Sequence, residues 1–157
     1  MAAIGTFILF FAVGLVGMEG VAWFTHRFIM HGPLWCWHRS HHRERQGIFE
    51  LNDLFAVCFA VPSIALIYLG TTGPLWMLAL GLGIAGYGAV YAIFHDGLVH
   101  RRFRVPLNRR APFWRHRIDA HRLHHATSTR DGAVSFGFMV VPSAQRLKAA
   151  LKRKRAR

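Results

Sequence analysis

Lysine and arginine are missing from two long parts of this chain. None lies before Arg27, and none between Gln46 and His100. Those bare parts hold three apolar runs: Ala2 to Trp23, about Leu51 to Gly70, and about Pro74 to Phe94. Each approaches the ~20 residues that an α-helix needs to cross ~30 Å of hydrocarbon. Acidic groups are scarce too, seven against 20 basic ones. Only Glu19 interrupts the first run, and Asp53 stands at the start of the second. Two cysteines, Cys36 and Cys58, exclude a disulfide framework. The opening "MAAIGTF" has no basic n-region, and the run after it exceeds a typical h-region. The run is therefore expected to be a retained helix rather than a signal peptide.

The chain has 157 residues, is 53% hydrophobic and carries a net charge of +13. Soluble domains rarely combine these, whereas a membrane protein with segregated charge does so easily. Arg27, Arg39, Arg43 and Arg45 form one basic zone, and every other Lys or Arg lies from Arg101 to Arg157. Three spans put both zones on one side, with the "GTTG" turn on the other. The positive-inside rule then gives an outside N-terminus and a cytoplasmic functional face. Orientation accounts for the charge, so no nucleic-acid partner is expected; the lipid bilayer is the partner.

The expected fold is all-α and integral to the membrane. It has about three transmembrane helices, with room for a fourth, partly buried helix near Ala133, and a cytoplasmic-face histidine-rich helical cap. One domain covers 1–157: helix one and a first histidine box (1–31), a second box (32–50), a helical hairpin with a third box (51–100), and a cap with a fourth box and a basic tail (101–157). "HGP" at His31–Pro33 ends helix one, since proline disfavours helical geometry in the residue before it. "AVSFGFMVV", from Ala133, is too short to span and reads as an interfacial segment or a pocket wall. "PSAQRLKAALKRKRAR" reads as a basic helix or tail against anionic headgroups. "GLGIAG" matches G-x-G-x-x-G but lies inside a predicted span without a preceding strand. It therefore reads as close helix packing, not dinucleotide binding.

Ten of the 11 histidines fall in four boxes: His26/His31, His38/His41/His42, His95/His100 and His121/His124/His125. The predicted topology brings all four to one membrane face. On an α-helix, positions three and four apart share a face, so each H-x2-H-H box points together. Positions five apart diverge by ~140°. Each H-x4-H pair therefore needs an unwound terminal turn or serves two metals. So many imidazoles in a small volume repel when protonated and lack partners when neutral and buried; metal ions resolve both problems. His116 falls outside the boxes and is not expected to be a ligand. Glu19, Asp53 and Asp96 are the leading candidates to bond imidazole N–H groups, with Glu44, Glu50 and Asp119 behind them; Glu19 reads equally as a protonated or hydrogen-bonded structural residue, and Asp53 equally as a cap of the second helix. Asn52 reads as a helix cap.

The box order resembles the fatty-acid hydroxylase superfamily of membrane di-iron enzymes. The flanking words "GMEGVAWFTHRFIMHGPLWCWHRSHH", "GIFELNDLFAVCFA", "FHDGLVHRRF", "AHRLHHA" and "VSFGFMVVP" are similar to those of the bacterial beta-carotene 3-hydroxylases, from about Gly17 to Pro142. The resemblance implies a multi-pass enzyme of the bacterial inner membrane. Its cofactors would be two non-haem iron ions, which zinc can replace in a recombinant preparation. It would use O2 and electrons from reduced ferredoxin to hydroxylate C3 of a carotenoid β-ionone ring, taking beta-carotene to beta-cryptoxanthin and zeaxanthin. It implies the ten box histidines as metal ligands, with no further catalytic side chain. Related enzymes suggest one iron on His26, His31, His42, His95 and His125, and the other on His38, His41, His100, His121 and His124. The runner-up is the same chemistry on a fatty acyl chain or sterol; a membrane metal transporter or store is the alternative from another class.

Overall fold

A computed structural model describes residues 1–44 and 47–156. Arg45, counted in the first basic zone, and Arg157, at the end of the tail, lie outside the described residues. Among the described residues there are helices and turns but no strand. Helix α1 spans Ala2–Phe24 and runs on as a π-helical turn, Thr25–Met30. A short α2, Trp35–His38, continues as a 3₁₀ turn, Arg39–His42. Helices α3, Leu54–Thr72, and α4, Leu75–Tyr91, form the hairpin, and α4 widens into a second π-helical stretch, Ala92–Val99. Helices α5, Pro112–His124, and α6, Ala144–Arg155, complete the cap.

Three of these helices are long and apolar enough to cross a membrane: Ala2–Met30, Leu51–Thr72 and Leu75–Val99. Their outward side chains, such as Ile8, Val16 and Val61, are exposed. That suits lipid, which needs no polar cover. Helix α4 is central, with α1 and α3 packed on either side of it. The "GLGIAG" glycines make the close approaches. A Cβ on Gly83 would stand 2.3 Å from the Phe11 carbonyl oxygen, and one on Gly81 would stand 2.9 Å from Ile67 and from the Ser63 carbonyl. Ser63 Oγ also donates to the Gly81 carbonyl at 2.8 Å. Small residues thus let the backbones meet, as the sequence pattern suggested.

Two parts of the cap differ from expectation. Residues 133–142 form no helix; three of their N–H groups, those of Phe138, Met139 and Val140, bond a half-buried carboxylate described below instead. Helix α6 is more than a lipid-facing tail. Leu147 and Leu151, one turn apart, bury against Ala120 of α5 and Val134. Lys154 Nζ donates to the carbonyls of Asp131 and Ala133 at 2.9 and 2.8 Å. The helix therefore staples the loop that follows α5.

Gly83→Ala is expected to destabilise the bundle by roughly 1–3 kcal/mol through overpacking. Gly5→Ala, where an added Cβ meets nothing, should gain a few tenths from helix propensity, up to about 1 kcal/mol. Thermal unfolding in detergent measures both, and equal shifts for the two would rule out this packing account.

Candidate metal centre

Both H-x4-H boxes lie on the π-helical turns. There a backbone N–H reaches the carbonyl five residues back rather than four. His31 N–H donates to the His26 carbonyl at 3.1 Å, and His100 N–H to the His95 carbonyl at 2.9 Å. This widening puts residues five apart on one face without unwinding the turn, which an ideal α-helix does not do. The chain leaves the second turn through Arg101, whose φ is 56°.

Two clusters result. Ring nitrogens of His26, His31, His38 and His124 lie within 4.8 Å of one another. His42 Nε2 joins them, 3.2 Å from His38 Nε2 and 3.1 Å from His124 Nε2. The other cluster holds His41, His100, His121 and His125, with His95 Nε2 2.9 Å from His41 Nε2. Each H-x2-H-H box divides, its outer pair entering one cluster and its middle histidine the other. The structure therefore regroups the expected split. His38 and His124 stand with His26, His31 and His42, while His95 and His125 stand with His41, His100 and His121. The π-helical turn keeps His95 beside His100, and the four-residue spacing keeps His38 beside His42 and His121 beside His125. His116 belongs to neither cluster.

The opposite ring nitrogens explain what the clusters can hold. His26 Nδ1 donates to the Phe136 carbonyl, His31 Nδ1 to Arg130, His42 Nδ1 to Thr127 and His124 Nδ1 to Val134, at 2.7–3.2 Å. His38 Nδ1 donates to Asn52 Oδ1 at 2.6 Å, His41 Nδ1 to Glu50 Oε2 at 3.3 Å and His95 Nδ1 to Asp96 Oδ1 at 2.8 Å. Oxygen acceptors fix the proton on Nδ1, which leaves Nε2 with a lone pair. The close Nε2 pairs His26–His38, His38–His42, His31–His124, His42–His124 and His41–His95 thus bring lone pair against lone pair at 2.9–3.2 Å. No hydrogen bond joins two such atoms; a metal cation between them does. Protonation is no escape. Burial, with neighbouring histidines, lowers the pKa of His38, His41, His121, His124 and His125. Burial pushes His42 down to about 4 and His100 to about 3. The donor set fits a borderline metal such as iron or zinc.

The carboxylates take different posts. Asp96 bonds a histidine ring directly. Asp53 stands one step behind, accepting from Arg102 at 2.6 and 2.7 Å, and Arg102 Nη1 lies 3.6 Å from Asp96. Asp53 also accepts from the Glu50 N–H at 3.0 Å, so it caps the helix as well. Glu19 touches no imidazole. Its Oε1 accepts from the N–H groups of Phe138, Met139 and Val140 at 2.9–3.0 Å, and its Oε2 from the Tyr87 hydroxyl at 2.8 Å. Glu44 is exposed, and Asp119 lies near Arg115 and Arg122. Asn52, expected to cap a helix, is buried against His38 instead. Trp35 packs 5.1 Å from His31 and 5.3 Å from His42 between ring centroids. Ser135, with φ 63°, accepts a strained backbone between the two carbonyls that meet His124 and His26.

A family model for fatty acid hydroxylase matches residues 11–143. The beta-carotene hydroxylase of Pseudescherichia vulneris is 49% identical over 146 residues, covering 92% of this chain and 82% of that protein. That of Pantoea ananas is 48% identical over 141 residues, 89% of this chain and 80% of that protein. Beta-carotene 3-hydroxylase 2, chloroplastic, of Arabidopsis thaliana is 43% identical over 143 residues, 88% of this chain and 46% of that protein. No solved structure gives a significant match.

Asn52→Ala is expected to weaken metal binding about 10–100-fold at the His38 cluster alone, and Asp96→Asn at the His95 cluster alone. Metal titration of each variant checks this; loss at both clusters from either change contradicts separable sites. The metal-free protein should also be acid-sensitive. His42 titrates near 4 when folded against about 6.5 unfolded. The unfolded chain holds more protons in that window, so stability falls as pH drops from about 6.5 towards 4. Melting temperatures at several pH values read this out, and a rise on acidification would contradict it.

Proposed function

The chain belongs to the fatty acid hydroxylase family, and from that premise we propose that it hydroxylates C3 of the β-ionone rings of beta-carotene, giving beta-cryptoxanthin and then zeaxanthin. The observation that carries the reading is the pair of buried histidine clusters with converging Nε2 lone pairs, at the ends of the membrane helices. Each cluster would hold one iron ion through five imidazoles: His26, His31, His38, His42 and His124 in one, and His41, His95, His100, His121 and His125 in the other. Bound iron would supply the redox chemistry that activates O2 towards an unactivated C–H bond, which zinc does not supply. One oxygen atom enters the C3–H bond and the other leaves as water, with two electrons and two protons consumed.

The chain's own residues orient, enclose and guide. Main-chain carbonyls, Asn52, Glu50 and Asp96 fix the tautomer and ring angle of seven histidines. Aromatic rings keep the clusters dry: Phe136 lies 5.5 Å from His26 and 5.4 Å from His124, and Phe138 lies 6.0 Å from His121. A dry site limits side reactions of a strong oxidant. No side chain serves as nucleophile or general base. The electrons would come from a reduced ferredoxin, and the basic face around Arg101–Arg117 suits an acidic carrier by steering. The positive-inside rule supports an inner-membrane enzyme with this face in the cytoplasm and the N-terminus outside.

In cells that accumulate beta-carotene and supply a ferredoxin-type donor, expression of the chain is expected to yield zeaxanthin and beta-cryptoxanthin. Pigment chromatography with mass spectrometry checks this. No hydroxylated carotenoid from iron-loaded protein sinks the assignment.

A further inference from the structure

Helices α1 and α3 flank α4, and between them lies a cavity of about 320 Å³, within the usual size range of small-molecule pockets. Met18, Phe55, Phe59 and Ile64 form its walls, and Ala85 and Gly88 of α4 its floor. Gly88 is notable because a Cβ added there meets nothing within 4 Å. Along α3 and the 3₁₀ turn before it, Leu51–Asp53, the lining runs from Asn52 to Ile67, roughly 22 Å at ~1.5 Å per residue. Beyond that end the helices close at Gly81, where a Cβ would stand 2.9 Å from Ile67. The amide and carboxylate side chains of the lining, Asn52, Asp53 and Asp96, gather at the histidine end. No lysine or arginine lines the cavity among the described residues, so an anionic headgroup would find no counter-charge inside it.

One lining side chain meets rings of both histidine clusters. The Phe138 ring lies 5.7 Å from His26 of the first cluster, and 5.6 and 6.0 Å from His95 and His121 of the second. Tyr91, also in the lining, is 4.8 Å from it. Phe138 sits on irregular backbone next to the membrane helices, where an unpaired N–H is costly. Glu19 pairs three consecutive N–H groups there, and Tyr87 anchors the other carboxylate oxygen.

We propose that this groove seats the ring and adjoining polyene of a carotenoid, and that Phe138, held by the Glu19–Tyr87 clamp, is the positioning residue that sets which ring carbon faces the metal clusters. The inference rests on the hydroxylase reading above. An elongated, uncharged, unsaturated occupant matches an apolar aromatic wall without internal cations. The clamp matters because reactive geometry is steep: a misplacement of about 1 Å costs on the order of a hundredfold in rate.

The test uses the full chain in beta-carotene-producing cells, with pigment products, copurified carotenoid and metal content read together. Gly88→Leu is expected to keep its metal, carry less copurified carotenoid and lower conversion about tenfold through KM, equivalent to ~1.4 kcal/mol. Phe138→Ala should keep its metal and spread hydroxylation onto ring carbons beside C3, which a merely structural lesion does not do. Phe138→Leu repeats that measurement if the alanine variant does not accumulate. Wild-type rate and C3-only product in either the groove or the Phe138 variants overturns the proposal. A wild-type protein that makes no hydroxylated carotenoid overturns the hydroxylase reading itself, and the groove assignment with it.

Discussion

Nitrogen lone pairs that face each other across about 3 Å repel, and the cap is organised around that fact. Seven imidazoles have their Nδ1 proton committed to an oxygen, so their Nε2 atoms can only accept. The fold then aims those acceptors at one another from four separate segments. Burial removes protonation as a remedy. Everything outside the clusters, from the glycine contacts in the spans to the staple from α6, serves to hold that otherwise unfavourable convergence. The same constraint couples metal binding to folding: without a cation the cap stores repulsion, and with one it gains a cross-link among α1, α2, α4 and α5.

The three spans, the single histidine face and the packing role of "GLGIAG" were legible in the sequence, because each rests on composition or on small-residue spacing. The H-x4-H geometry was not. Helical arithmetic at 3.6 residues per turn excludes a shared face for positions five apart, and the arithmetic is sound for an α-helix. The chain answers by changing the helix. Nothing in "THRFIM" or "AIFHDGLV" marks a π-helical turn. The only hint was the conflict between box spacing and ideal geometry. The split suggested by related enzymes could therefore place His95 and His100 on different metals without offending that arithmetic.

The supporting residues were legible unevenly. Asp96 lies next to His95 in the chain, so its bond is local. Asn52 and Glu50 are distant in sequence from their ring partners, and both sit where helix capping is an equally good reading. Glu19 shows the opposite case. An acidic group inside a span signals function by default, and seven residues before His26 it looked like a ring partner. It faces three main-chain N–H groups instead, which no side-chain pattern could have announced.

The loop after α5 has an unusual relation to mutation. It supports the first cluster through the carbonyls of Thr127, Arg130, Val134 and Phe136, and every residue type carries a carbonyl. Its length therefore matters as much as the side chains it buries, Val134 and Phe136 among them. Removing a single residue would move the acceptors out of register and leave several imidazoles without a fixed tautomer. Main-chain support of this kind lives in chain length, so exposed positions such as Ser128 and Thr129 can drift in sequence while the spacing between the carbonyls stays rigid.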